Sequence, residues 1–233
     1  MCVVMEITTL LMFLAAAAHA SVISSNAAAV IRSGALHCEE NFAPPRLVDD
    51  LRFDVAECTS AGLFESAGSG GRTGEVDHMR SAVYCDPIAR DRSIGCWDAF
   101  VALWERLDMV REELAAGLEL ELLPEMEIHY VRYADGGYYQ RHVDDEATAV
   151  DGAPSRRAVS FICYLTEASP AWCAADGGQL RVHTSEGTTD YLPTSGSLVL
   201  FDSATLEHEV LPTCRERTCL IGWFHTPPSP SHA

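Results

Sequence analysis

From Pro124 onward the chain is a succession of short apolar segments cut by turn residues, with no helical repeat between them. Met126, Ile128 and Tyr130 alternate with Glu127 and His129, the period of a strand. Apolar runs follow at 159–165, 180–183, 197–201 and 219–224, separated by Gly136-Gly137, Gly177-Gly178 and a turn at 193–196. Many short strands without intervening helices pack as a sandwich or jelly roll. Before Pro124 the pattern differs. Trp97, Phe100, Val101, Trp104, Leu107, Val110, Leu114 and Leu118 recur at helical spacing and predict an amphipathic helix laid on a sheet face. The expected class is therefore α+β: a double-stranded β-helix (jelly roll) over residues 125–226, flanked by N-terminal helices. The folded domain is expected over 96–233, after an unassigned extension at 21–95.

Residues 7–18, ITTLLMFLAAAA, followed by Ala18-His19-Ala20-Ser21, have the length and small-x-small ending of a secretory leader, so 1–20 are expected to be a signal peptide. That places the chain in the secretory pathway, with the cytoplasm as the alternative. No segment is long enough to cross a membrane as a helix. Removal of the leader takes Cys2 with it and leaves eight cysteines, an even number that permits disulfides in an oxidising compartment. None form a CxxC pair or a zinc-finger cluster. Residues 21–50 read as loosely structured, and 66–73, SAGSGGRT, as a flexible loop. The formal net charge of -18 repels a phosphate backbone and argues against nucleic acid as a partner.

The chemistry-bearing residues begin with Arg141-His142-Val143-Asp144. In an extended segment His142 and Asp144 project to the same face and can take adjacent positions on a metal. His208, in Leu206-Glu207-His208-Glu209-Val210, follows the apolar run 197–201, which a jelly roll lays beside the first ligand pair. Two His and one carboxylate make the facial triad of non-haem iron(II) oxygenases, with three positions left open. Those positions suit a chelating 2-oxo acid and dioxygen. A 2-oxoglutarate site also needs a cation for the far carboxylate, ideally a planar fork. Arg217, nine residues after His208 and at the start of an apolar strand, is the candidate; Arg215, nearer the turn, reads as solvated.

These residues resemble the prolyl-4-hydroxylase type of 2-oxoglutarate oxygenase over 125–224. The motifs are Tyr138-Tyr139-Gln140-Arg141-His142-Val143-Asp144, the strand RAVSFICYL at 157–165, Asp176-Gly177-Gly178-Gln179-Leu180-Arg181, and His208-Glu209-Val210 with Pro212, Arg217 and Trp223-Phe224. The collagen-type branch carries Lys at the distal carboxylate, so Arg217 aligns the chain with the branch acting on hypoxia-inducible factor. The resemblance implies iron(II) on His142, Asp144 and His208. It places the 5-carboxylate of 2-oxoglutarate on Arg217, with the Tyr164 hydroxyl beside it and Tyr133 near the 1-carboxylate. It further implies dioxygen as co-substrate, L-ascorbate as auxiliary reductant, and a prolyl residue in a peptide or protein as substrate. The polar stretch 145–156, DEATAVDGAPSR, reads as a loop beside the iron that covers an extended peptide. Its acidic start, Asp145-Glu146, favours basic residues flanking the target. Two alternatives remain: a hydroxylase of a free amino acid or small metabolite on the same scaffold, and a non-catalytic jelly-roll binding module.

Overall fold

The computed structural model describes residues 21–66, 81–145, 147–150 and 153–228; the leader at 1–20 and nearly all of the 66–73 loop lie outside the described residues. Among the described residues three α-helices, α1 (Ala27–Arg32), α2 (Pro45–Ser60) and α3 (Trp97–Leu118), accompany twelve strands. The strands are β1 (His37–Glu39), β2 (Glu65–Ser66), β3 (Val83–Cys85), β4 (Met126–Tyr133), β5 (Tyr139–His142) and β6 (Ala147–Val150), then β7 (Ala153–Tyr164), β8 (Leu180–Thr184), β9 (Gly187–Tyr191), β10 (Leu198–Asp202), β11 (Glu207–Val210) and β12 (Arg217–Thr226). They form two antiparallel sheets. The large one runs β1-β10-β7-β12-β4-β3-β2, with β6 paired to β7, and the small one runs β5-β11-β8-β9. This is the expected jelly roll with flanking helices.

The near-continuous apolar runs have a simple cause. The large sheet is buried on both faces, so residues of either parity are apolar. Phe161, Cys163, Leu198, Leu200, Leu220 and Phe224 face one way and join the core made with Leu51, Phe100, Leu103, Leu107 and Leu114 of α2 and α3. Ile162, Tyr164, Val199, Phe201 and Cys219 face the other way and pack against Leu180, Val182 and Val210 of the small sheet. The predicted α3 buries Phe100, Leu107, Val110 and Leu114, at the spacing read from the sequence.

Two expectations are corrected. Residues 21–50 are ordered into α1, β1 and the start of α2, whose Pro45 stands at a helix N-terminus, where its fixed φ is favourable and its missing N–H costs nothing. The 145–156 stretch is not a plain loop: β6 pairs with the first residues of β7 as a hairpin. Residues of the extension are also built into the large sheet, β1 at one edge and β3-β2 at the other. Strands of two or three residues are too short to show a period, which is why alternation could not reveal them.

Candidate active site

Between the sheets lies a cleft of about 640 Å³, and the predicted ligand residues line it. His142 ends β5 and His208 lies directly opposite it on β11. Asp144 follows β5, its backbone N–H donating to Ser203 O at 3.0 Å. The ligand atoms of His142, Asp144 and His208 all fall within 4.8 Å of one another, and among the described residues no other group of three or more such side chains meets that criterion.

The imidazoles are fixed by their second nitrogens. His142 Nδ1 donates to Gln140 O at 2.7 Å, and His208 Nδ1 donates to Leu206 O at 3.0 Å. A carbonyl oxygen only accepts, so both Nδ1 atoms carry a proton and both Nε2 atoms face the site. Nε2 of His142 is 3.4 Å from Asp144 Oδ1, and Nε2 of His208 is 3.8 Å from Asp144 Oδ2. Ser160 Oγ donates to Asp144 Oδ2 at 2.7 Å and lies 2.9 Å from Ser203 Oγ. Tyr139 stacks on His142, with ring centroids 3.8 Å apart. An irregularity in the β5-β11 register brings these two onto one face despite their odd spacing. Burial opposes ionisation of Asp144, but the His142 hydrogen bond, the neighbouring His208 and the Ser160 hydrogen bond hold its carboxyl well below the usual range. Burial lowers His208. The resting donor set is thus an anionic carboxylate with an unprotonated His208, chemically suited to a divalent first-row metal such as iron(II).

The far end of the cleft is cationic. Arg217 opens β12 and is only 1% exposed. Its Nε donates to Gly178 O at 2.9 Å and its Nη1 to Cys219 Sγ at 3.4 Å. The Tyr133 and Tyr164 rings lie 4.9 and 5.1 Å from the guanidinium carbon. Arg217 Nη2 and the Tyr164 hydroxyl are buried with no hydrogen-bond partner of good geometry among the described residues. Buried donors without acceptors are costly, and here they converge where a carboxylate would satisfy them. The residues therefore fit 2-oxoglutarate. Tyr133 pairs across the sheet with Arg217, and its ring lies against the guanidinium. Arg215 is not simply solvated: it reaches Glu167 and Asp176 and stacks on Trp172.

Toward solvent the cleft has a wall that sequence reasoning missed. Arg157 lies 3.6 Å above the Trp223 ring and is held by Glu127 through Nη2–Oε1 at 2.6 Å and Nε–Oε2 at 3.1 Å. His129 and His225 approach the same carboxylate at 3.6 Å. Strict alternation along β7 places Arg157 on the helix side, with Val159 and Phe161. The register breaks at this point, Val159 opposing Phe224 but Arg157 opposing His225, so Ala158 is the extra residue of a bulge that turns Arg157 into the cleft. The available signal was a cation opening an apolar strand, the same feature that drew attention to Arg217. Asp145 is bound by Arg156 at 2.7–3.0 Å, so its charge is not free to attract a basic substrate.

Residues 128–225 match the model of the 2OG-Fe(II) oxygenase superfamily. The chain is 33% identical over 89 residues to a prolyl 3,4-dihydroxylase of Ostreococcus tauri, covering 33% of this chain and 17% of that protein. It is 30% identical over 113 residues to a PKHD-type hydroxylase of Nitrobacter winogradskyi, covering 48% of this chain and 47% of that one. The chain spans about half the length, or less, of these curated relatives. Among solved structures it is similar to a Pseudomonas putida prolyl-4-hydroxylase, with TM-score 0.71, 28% identity, and coverage of 88% of this chain and 99% of that one. A Trichoplax adhaerens prolyl hydroxylase in complex with a hypoxia-inducible-factor peptide shares the fold, at TM-score 0.71, 19% identity, and coverage of 86% and 89%.

Proposed function

We propose that the chain is a 2-oxoglutarate-dependent dioxygenase that hydroxylates prolyl residues in a peptide or protein, a reading supported by the match of residues 128–225 to the 2OG-Fe(II) oxygenase superfamily. The observation that carries this reading is one cleft with three clustered candidate metal ligands at one station and, at another, a buried guanidinium with no carboxylate partner among the described residues. The prolyl substrate is supported by the likeness to the Pseudomonas putida enzyme and by the open, partly aromatic outer wall.

His142, Asp144 and His208 would hold iron(II), and Arg217 with Tyr164 would hold the distal carboxylate of 2-oxoglutarate. Bound iron(II), with 2-oxoglutarate and dioxygen, supplies the oxidising power for inserting one oxygen atom into an unactivated C–H bond, the co-substrate leaving as succinate and carbon dioxide. The chain itself supplies orientation and charge. The Nδ1 hydrogen bonds keep both imidazoles turned, and Ser160 keeps the Asp144 carboxylate aimed. Ile162, Leu180, Val210 and Ile221 line the same cleft and give it apolar surface. Arg157, clamped by Glu127 over Trp223, gives the outer wall a fixed cation and an apolar ring against which an extended peptide can lie. L-ascorbate as an auxiliary reductant and residence in the secretory pathway belong to the same proposal. N-terminal sequencing of the native chain tests the second.

The experiment is to incubate the protein with iron(II), 2-oxoglutarate and ascorbate, with and without proline-containing peptides, and to follow succinate and peptide mass. Peptide-stimulated succinate with one added oxygen on proline is expected. Succinate formed with free amino acids and never with peptides would transfer the protein to the metabolite hydroxylases.

A further inference from the structure

The rim of the cleft carries a carboxylate with no counter-charge. β3 pairs Val83, Tyr84 and Cys85 with Arg132, Val131 and Tyr130 of β4. Tyr84 faces the cleft and Cys85 the helix-side core, so alternation turns Asp86 back to the cleft, level with His129. Asp86 lines the cleft there and is exposed. Among the described residues it bonds only to backbone, its Oδ1 accepting from Ile88 N at 2.8 Å and from Ala89 N at 3.2 Å. The other charged side chains along the cleft are engaged. Glu127 holds Arg157 and draws His129 and His225. Asp54 holds Arg90, Asp144 belongs to the metal station, and Glu65 has interactions of its own. Arg217 is buried at the co-substrate end.

Asp86 is also held in place. The turn it caps runs into Arg90, whose side chain is fully buried, with Nη1 2.8 Å from Asp54 Oδ2 and Nη2 donating to Asp54 Oδ1 at 2.9 Å. Tyr130 Oη and Cys96 N donate to the same carboxylate at 2.7 and 2.6 Å. The rim is thus tied at one end to the β3 ladder and at the other to α2. A buried ion pair seldom stabilises a fold more than apolar side chains of the same volume would. What this one supplies is a single placement for residues 86–90, and a charge already fixed loses little freedom when a ligand pairs with it.

We propose that Asp86 is a specificity-determining residue that selects peptides carrying a basic side chain about three to five residues from the target proline. The inference rests on the prolyl-peptide reading of the cleft and adds the charge and position of a neighbour that the substrate must carry. The spacing follows from the sheet. β3, β4, β12 and β7 are successive neighbours, and the row of Asp86 continues through His129 and Ile221 to Ile162, two residues from Ser160. Ser160 marks the metal station, because its hydroxyl binds Asp144. Three strand spacings of about 4.8 Å and two residues of about 3.4 Å put the Asp86 backbone roughly 16 Å from that of Ser160. An extended peptide advances about 3.4 Å per residue, so a chain with its proline at the metal brings its fourth or fifth neighbour to Asp86, or its third through a long side chain.

The test measures binding rather than turnover. Labelled peptides hold one proline and a single Lys, Glu or Ala at successive distances on either side of it. They are titrated against the full chain with iron(II) and 2-oxoglutarate under nitrogen and followed by fluorescence anisotropy. Lys is expected to bind about three- to tenfold more tightly than Glu at low salt, at the predicted distance above all others, and the difference should collapse in about 0.5 M salt. Asp86→Asn should erase the preference, and Asp86→Lys should turn it toward Glu. The net charge of -18 by itself would favour Lys at every distance. A preference without regard to distance, one that survives Asp86→Asn, equal affinity for Lys and Glu peptides, or binding by no peptide at all would each overturn the proposal. The two readings fail separately. Peptides that bind with the preference yet gain no oxygen count against prolyl hydroxylation and leave Asp86 its role, whereas peptides hydroxylated regardless of charge do the reverse.

Discussion

Replacing Arg217 with methionine should strengthen the ligand-free fold while abolishing co-substrate binding. The guanidinium is 1% exposed and has no carboxylate partner among the described residues. In its favour stand one charge-assisted bond to Gly178 O at 2.9 Å, worth about 1.5–3 kcal/mol, and two aromatic faces worth about 1–2 kcal/mol each. Against it stand the effective desolvation of an unpaired buried cation, on the order of several kcal/mol, and an orphaned Nη2 at about 1–3 kcal/mol. Methionine retains much of the volume and recovers apolar burial worth about 2 kcal/mol. The balance favours Arg217→Met by about 1–3 kcal/mol, a rise in melting temperature of roughly 2–10 °C. The same change removes a buried anchor worth about 2–5 kcal/mol to the ligand, a loss of roughly thirty- to several-thousand-fold in affinity for 2-oxoglutarate. Differential scanning fluorimetry with and without 2-oxoglutarate, beside isothermal titration calorimetry, reads both quantities. A variant that melts several degrees lower than its parent, and still gains stability from 2-oxoglutarate, would refute both halves of the reasoning.

Ser160→Ala should weaken iron(II) binding by about 10–100-fold in equilibrium dialysis, because Asp144 loses the hydroxyl that aims it; an affinity within twofold of the parent would contradict that role. Gly222→Ala should destabilise the protein by about 3 kcal/mol or more in urea titration, since a Cβ there would stand 2.3 Å from Glu127 O and 2.4 Å from Phe161 Cζ. Burial acts to raise Glu127, but hydrogen bonds with His129, His225 and Arg157 hold its folded pKa well below the unfolded value. Its contribution is therefore present above about pH 4.3 and lost as pH falls below that toward the folded value. Glu127→Gln should flatten the acid limb of the stability-pH curve, and an unchanged limb would show that the carboxylate is not stabilised there.

The metal station was legible because its logic is local. His142 and Asp144 sit at alternate positions of an extended segment, and His208 lies at the strand a jelly roll places opposite. The apolar runs were legible as strands because the large sheet is buried on both faces. What escaped depends on geometry that leaves no period. The Ala158 bulge reverses the side on which Arg157 emerges, and no residue near it announces a bulge. The β4-β12 register sets Tyr133 beside Arg217, a pairing that no local pattern in the sequence shows. β1, β2 and β3 consist of two or three residues each, and their pairing is dictated by the sheet edges they cover rather than by their own composition.

The two stations of the cleft stand on different walls. His142 and His208 belong to the small sheet, whereas Arg217, Tyr164 and Tyr133 belong to the large one. A co-substrate held at both ends would act as a strut between two independently hydrogen-bonded plates. The sandwich could not gape without letting go of one end, so the free energy of binding would appear as mechanical stiffness across the seam. Amide hydrogen exchange in β5 and β11 should slow on ligation by nearly the whole binding free energy, provided those strands exchange by parting from the large sheet. A molecule that grips only the metal, however tightly, would leave the plates free to part.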